Sequence, residues 1–130
     1  MTLAVAADDP FGMIDPIAYW GGVQPSRLAI GDFSSGLRLS YAEFDRRIDR
    51  CGAHLEQTLG DPVGERVAVL ARNSLDFLTL HFACIRIGAI FVPLNWRLSA
   101  PEISVLVQDC APSRSVWNGS GSRVRMRSIE

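Results

Sequence analysis

Two short patterns carry residue types able to bind a metal. Cys51-x-x-His54 and His81-x-x-Cys84 each place a thiol and an imidazole three residues apart, on one face of a helix. Zinc would accept two cysteines and two histidines if those helices faced each other, although structural zinc sites favour tighter knuckles. Both cysteines fall on apolar stretches, so core packing is the plainer reading. A second group is Asn95 and Arg97, at the exit of an apolar run. Parallel α/β sheets bind ligands beyond the carboxyl ends of their strands, so the pair is a candidate ligand contact. The plainer role is to orient the connection. A third group is Arg114, Arg123, Arg125 and Arg127, crowded into the stretch Ser113–Glu130. RNA or an acidic surface would attract it, but only Trp117 offers an aromatic for stacking. Asn118-Gly119-Ser120 spells a glycosylation sequon, which matters only in a secreted chain.

All 13 basic residues are arginine and none is lysine. Any mechanism that draws a Schiff-base, phosphate-loop or adenylation lysine from these residues is excluded. Nine arginines stand against thirteen acids up to Pro112, a net of −4, and the remainder carries +3. The body therefore has no basic footprint for nucleic acid, and no nucleic-acid partner is expected. Three cysteines without a basic leader at Met1–Asp9 argue against a disulfide framework and predict a cytoplasmic chain. The uncharged run Ile87–Trp96 falls far short of the roughly 20 apolar residues of a membrane helix, so no integral membrane segment is expected. With 130 residues, 48% of them hydrophobic and 21% charged, one globular domain is the expectation.

The elements that would position these groups are legible in outline. Asp15–Trp20 predicts a short helix starting at Pro16 and broken by Gly21-Gly22. Arg27–Phe33 and Leu37–Tyr41 predict a hairpin around Ser34-Ser35-Gly36. Ser40-Tyr41-Ala42-Glu43 is a capping box, and Tyr41, Phe44, Ile48, Cys51, Leu55 and Leu59 form one apolar helical stripe ending at Gly60. Arg66–Ala71 is an unalternating apolar run that fits a parallel strand covered on both faces. Asn73 or Ser74 caps a helix over Leu75–Ile87 that is apolar on nearly every side, and Gly88 ends it. Phe77 and Phe82 in that helix, with Phe91 and Trp96 beyond it, read as core. Ala89–Pro93 predicts a second buried strand, completing a βαβ unit. Ser99-Ala100-Pro101-Glu102 is a second capping box, opening a helix that ends near Asp109. A third strand should follow, but only Val116 and Trp117 suit one, and Arg123–Arg127 alternates with nothing after it to pair with.

Five of these segments, in register, resemble the AMP-forming acyl-CoA synthetases and adenylation domains. Leu39-Ser40-Tyr41-Ala42-Glu43-Phe44 is similar to the L-T/S-Y-x-E-L motif of that family. Gly64–Leu70 and Asn73–Phe77 stand where it has G-D-R-V-A-x-L and N-S-x-E-F. Cys84–Asn95 resembles its K-A-G-A-x-x-V-P-L-N/D string, and Leu98–Ile103 its R-L-S-x-x-E-L run. The likeness spans Ile14 to Pro112.

The resemblance implies an α/β fold: a partial, mostly parallel sheet with flanking helices, the first portion of the large N-terminal domain of the acyl-adenylate-forming ligases. It implies a division into a loose start at 1–13, an incomplete AMP-binding-type domain at 14–112 and an off-pattern, disordered tail at 113–130. The family joins a carboxylic or fatty acid to ATP as an acyl-adenylate and passes the acyl group to coenzyme A. ATP, Mg2+ and coenzyme A, and the acid substrate, are thus implied for the complete enzyme and none for this stretch. The phosphate loop, the magnesium-binding acid, the ribose-binding Asp and the C-terminal lysine of the family have no counterpart here. No catalytic, cofactor-binding or metal residue is therefore assigned. The expectation is a truncated, inactive acyl-CoA synthetase, cut by a frameshift or a junction after Pro112. The alternative is a small stand-alone α/β module that binds or docks on a complete synthetase. An uncovered sheet edge and apolar face would favour self-association or docking, and poor solubility.

Overall fold

The computed structural model describes residues 15–117 and 125–127, and side chains from Asp15 to Arg114. The helix α1 (Pro16–Val23) is capped by Asp15, whose carboxylate accepts from the Ile17 and Ala18 amides. It runs through Gly21-Gly22, where the sequence predicts a break. Docking against the second helix accompanies this: the Gly21 backbone lies beside Asp45, where an added Cβ would make an ordinary 3.4 Å contact.

The strands β1 (Leu28–Gly31) and β2 (Arg38–Ser40) form the expected antiparallel hairpin. Asp32 organises its turn by accepting from the Ser34 amide and the Ser35 hydroxyl, and Gly36 takes the left-handed conformation. Helix α2 (Tyr41–Leu59) follows with its capping box formed: Ser40 and Glu43 each accept from the other's amide. Its stripe buries Phe44, Ile48 and Leu55.

The strands β3 (Arg66–Leu70) and β4 (Ile90–Leu94) are parallel and joined through helix α3 (Leu75–Ile87). Ser74 caps α3, and Gly88 ends it in the left-handed region. Helix α4 (Ala100–Cys110) opens as expected, with the Glu102 carboxylate accepting from the Ser99 amide and hydroxyl. The third strand is present as β5 (Arg114–Trp117), parallel to β3 on the side away from β4, and β6 (Arg125–Arg127) pairs antiparallel with β5. The sheet order is β4-β3-β5-β6.

For these strand residues the structure corrects the disordered tail expected from composition. Tertiary pairing outweighs the poor local propensity. β3 would otherwise present an unpaired flank; instead the Ser113 amide donates to the Arg66 carbonyl at 2.9 Å. Arg114 donates to the Thr58 carbonyl at 3.0 Å, a cation at the negative end of α2. Residues 118–124 and 128–130, with the sequon and Arg123, lie outside the described residues.

The crossovers run in opposite directions along the sheet, and the right-handed rule for parallel strand–helix–strand units puts α3 and α4 on opposite faces. Burial follows that division. Val67 and Val69 join one cluster with Phe44, Ile48, Leu55 and Cys84 from α2 and α3. Ala68 and Leu94 are buried outside that cluster, towards α4. β4 is an edge strand, and Ile90 is 47% exposed while Leu94 is buried, so the second buried strand of the sequence reading is only partly buried. Likewise α3 is not buried all round: Leu78 is exposed.

Candidate functional site

The in-register pairing of β3 with β4 builds a ledge at their carboxyl ends. Leu70 pairs with Leu94, so two residues further on Arg72 comes opposite Trp96. The Arg72 guanidinium carbon lies 4.3 Å from the centre of the Trp96 ring, and that of Arg97 lies 5.3 Å from it. Asn95 fixes the turn: its side-chain oxygen accepts from the Arg97 amide at 3.0 Å and its carbonyl from the Leu98 amide at 3.1 Å. Trp96 stays 43% exposed, where the sequence reading put it in the core. Among the described residues neither Arg72 nor Arg97 forms an ion pair. Two permanent cations around an exposed indole suit an anionic or planar ligand. The ledge consists of two guanidiniums, an indole and a carboxamide. Asn95 and Arg97 were visible in the sequence. Arg72 was not, because it arrives from the neighbouring strand; the strand register is the signal that finds it.

The Cys/His pairs occupy unlike surroundings. His54 is exposed on α2. His81 meets Phe82 and Phe91 edge-on, with ring centres 5.5 and 5.0 Å away. Cys84 is buried, and burial first, then the neighbouring Cys51, pushes its thiol up to about 12. Burial also raises Cys51. Both thiols are protonated at neutral pH, the inert state for metal binding and nucleophilic attack. Among the described residues no three His, Cys, Asp or Glu side chains converge on a point that would hold a metal ion.

Sequence reasoning missed the strongest electrostatic feature. Arg86 on α3 donates to Asp15, Asp45 and Asp49 at 2.5 to 2.6 Å, and to the Asp45 carbonyl. Its side chain is only 16% exposed. Burial opposes its charge, but the carboxylates outweigh that cost and raise its pKa beyond the ordinary arginine value. Burial likewise opposes ionisation of Asp15, but Arg86 and the Ala18 and Ile17 amides hold it below the usual carboxylate range. The hub ties α1, α2 and α3 together. A second pair, Arg47 to Asp76 with Thr79 alongside, links α2 to α3.

This frame is that of known proteins. The family model for AMP-binding enzymes matches residues 18–125. The chain belongs to the AMP-binding enzyme family. It is 38% identical over 102 residues to the long-chain-fatty-acid–CoA ligase FadD13 of Mycobacterium tuberculosis, covering 78% of this chain and 20% of that protein. It is 40% identical over 92 residues to the indoleacetate–CoA ligase of Aromatoleum aromaticum, covering 71% and 18%. Its structure superposes with a TM-score of 0.73 and 33% identity on the crystal structure of the N-terminal domain of FACL13 from M. tuberculosis, covering 78% of this chain and 25% of that one. The chain thus spans about a fifth of the length of the curated relatives it matches. Its α/β architecture is that of the N-terminal domain of the acyl-adenylate ligases. No described helix is long and apolar enough to cross a membrane.

The AMP-binding family implies ATP with Mg2+, and the described residues do not fit them. The β3–α3 connection, Ala71-Arg72-Asn73-Ser74, has no glycine to cradle phosphates, and the chain has no lysine to meet them. No adenylation step is derived from these residues.

Proposed function

We propose that this chain is the opening part of the N-terminal domain of an AMP-forming acid–thiol ligase. The parent reaction activates a carboxylic or fatty acid with ATP through an acyl-adenylate and transfers the acyl group to coenzyme A. Within it, residues 14–112 act as scaffold: they set the first parallel strands and present the Arg72–Trp96–Arg97 ledge at the ligand-binding end of the sheet. The supporting observation is the β3–α3–β4 unit in a chain matched to AMP-binding enzymes along 18–125. Adenylation needs metal and cationic donors around the transferring phosphorus. Among the described residues no cluster of acids would hold the metal, and the sequence offers no lysine for the phosphorus.

Two preparations test this. The 130-residue chain, given ATP, Mg2+, a panel of carboxylic acids and hydroxylamine, should release no pyrophosphate above blank. The M. tuberculosis ligase carrying Pro16–Pro112 in place of its matched segment should make the hydroxamate. Protein-dependent pyrophosphate from the chain alone, or a folded but inert chimera, would overturn the proposal.

A further inference from the structure

Helix α1 is pinned at one end and latched at the other. At its C-terminal end Gln24 leaves the helical conformation, and Pro25 has no N–H with which to continue it. The Pro25 and Arg27 carbonyls then accept from the Ala42 and Tyr41 amides at 3.1 and 3.0 Å, which fixes the chain to the first turn of α2. Between the two ends the hold is light. No residue of α1 is buried, Ile17 packs against the core cluster, and the Trp20 and Tyr41 ring centres are 6.2 Å apart.

The N-terminal end rests on one carboxylate with two tasks. One Asp15 oxygen accepts from the Ile17 and Ala18 amides at 2.9 and 3.0 Å and so caps the helix. The other accepts from the Arg86 Nε at 2.5 Å and so docks the helix on α3. Asp45 and Asp49 of α2 hold the rest of the guanidinium in place for this. A helix of eight residues is shorter than the roughly 12–15 that persist in water unaided. Released from Arg86, α1 has too little of its own to stay helical, so folding and docking are one event.

We infer that α1 is an order–disorder strap: Pro16–Val23 is helical only while docked, Asp15 is the latch, and Gln24-Pro25 is the hinge. When the strap opens, the chain from Pro25 onward keeps its place. Helices α2 and α3 stay together through the Arg47–Asp76 pair and the core they share. Opening uncovers the Arg86 guanidinium, left between Asp45 and Asp49, and the seat of Ile17 on the core.

Hydrogen exchange of the 130-residue chain under mild urea reads the strap directly. The amides of Trp20–Gln24 should share one opening constant, about tenfold or more above that of Phe44–Leu55 in α2, and respond weakly to urea. Asp15→Ser keeps a capping oxygen but loses the carboxylate that meets Arg86. It should raise the Trp20–Gln24 constant roughly ten- to a hundredfold, the factor set by one charge-assisted hydrogen bond. The amides of Ile103–Cys110 in α4, which touches neither partner of the latch, should stay within about twofold. Two results would overturn the inference. In the unchanged chain, Trp20–Gln24 might exchange with the constant and urea slope of Phe44–Leu55, so that α1 opens only with the core. In Asp15→Ser, faster exchange confined to Ile17 and Ala18 would make Asp15 a cap and not a latch.

Discussion

The two faces of the sheet obey different energetics. Towards α2 and α3, Ile48, Leu55, Val67, Val69 and Cys84 are essentially inaccessible to water, and the Arg86 hub spans the helices that cover them. Towards α4, the helix has no buried residue and its capping box holds it almost by local means alone. One face is held by tertiary contact, the other by local structure. Deletions should therefore have large global effects on the first face and small ones on the second. The largest contrast is expected between Leu55→Ala and Val107→Ala. The first removes a fully enclosed side chain and should cost about 2–5 kcal/mol in chemical denaturation. The second truncates a half-open one and should cost less than about 1 kcal/mol. Equal losses would mean that α4 is packed as tightly as α2.

The hub sharpens the same contrast. Arg86→Met keeps an unbranched apolar stem but removes the guanidinium and strands Asp15 and Asp45, which are 21% and 28% exposed, so water offsets part of the penalty. A loss of about 2–3 kcal/mol is expected, below the range for fully buried pairs. Thermal unfolding followed by circular dichroism would measure it. A loss under about 0.5 kcal/mol would show that α1 is held by Ile17 and the Trp20–Tyr41 contact instead.

Acid acts on the hub in a definite direction. Asp15 has its folded-state pKa below the ordinary carboxylate value, because Arg86 and two amides outweigh its burial. The folded state therefore binds the proton less readily than the unfolded chain. The stabilisation is complete at neutral pH, begins to fail below about pH 5, and is gone once pH drops below the folded value. Arg86 keeps its charge throughout this window. Denaturant midpoints measured from pH 7 to pH 3 should fall, and Asp15→Asn should flatten the curve. An unchanged slope in that variant would remove Asp15 from the acid response.

What the sequence made legible was mostly local. Both capping boxes, the hairpin turn at Asp32–Gly36 and the stripe of α2 depend on residues a few positions apart, and all are present. The family motifs extended that reach to the β3–α3–β4 unit. The failures share a cause, which is contact across long separations. The Arg86 hub joins carboxylates 71, 41 and 37 residues away, which no window of periodicity contains. Gly21-Gly22 reads as a break until Asp45 is placed against it. Arg114–Trp117 reads as tail until β3 offers its flank. The ledge divided the same way: Asn95 and Arg97 lay together in one connection, while Arg72 needed the register of two strands.

The smallest expected effect compares the two faces through the serine that opens each helix. Ser40 and Ser99 open α2 and α4 with their amides each bonded to a glutamate at 2.8 Å; the Ser40 hydroxyl also accepts from the Glu43 amide, while the Ser99 hydroxyl donates to the Glu102 carboxylate. Ser40→Ala should cost about 1 kcal/mol globally, because α2 cannot unravel without opening the core that Phe44, Ile48 and Leu55 close. Ser99→Ala removes a hydroxyl-to-carboxylate bond at the start of a helix with nothing buried. Such a helix opens by itself at a low free energy, so the loss enters local opening before it reaches the global transition. The expected global cost is only a few tenths of a kcal/mol. Amide exchange should quicken across Ala100–Cys110 while the rates in Tyr41–Leu59 hold steady. If Ser99→Ala instead lowered the global midpoint as much as Ser40→Ala, α4 would unfold with the core and the distinction between the faces would fail.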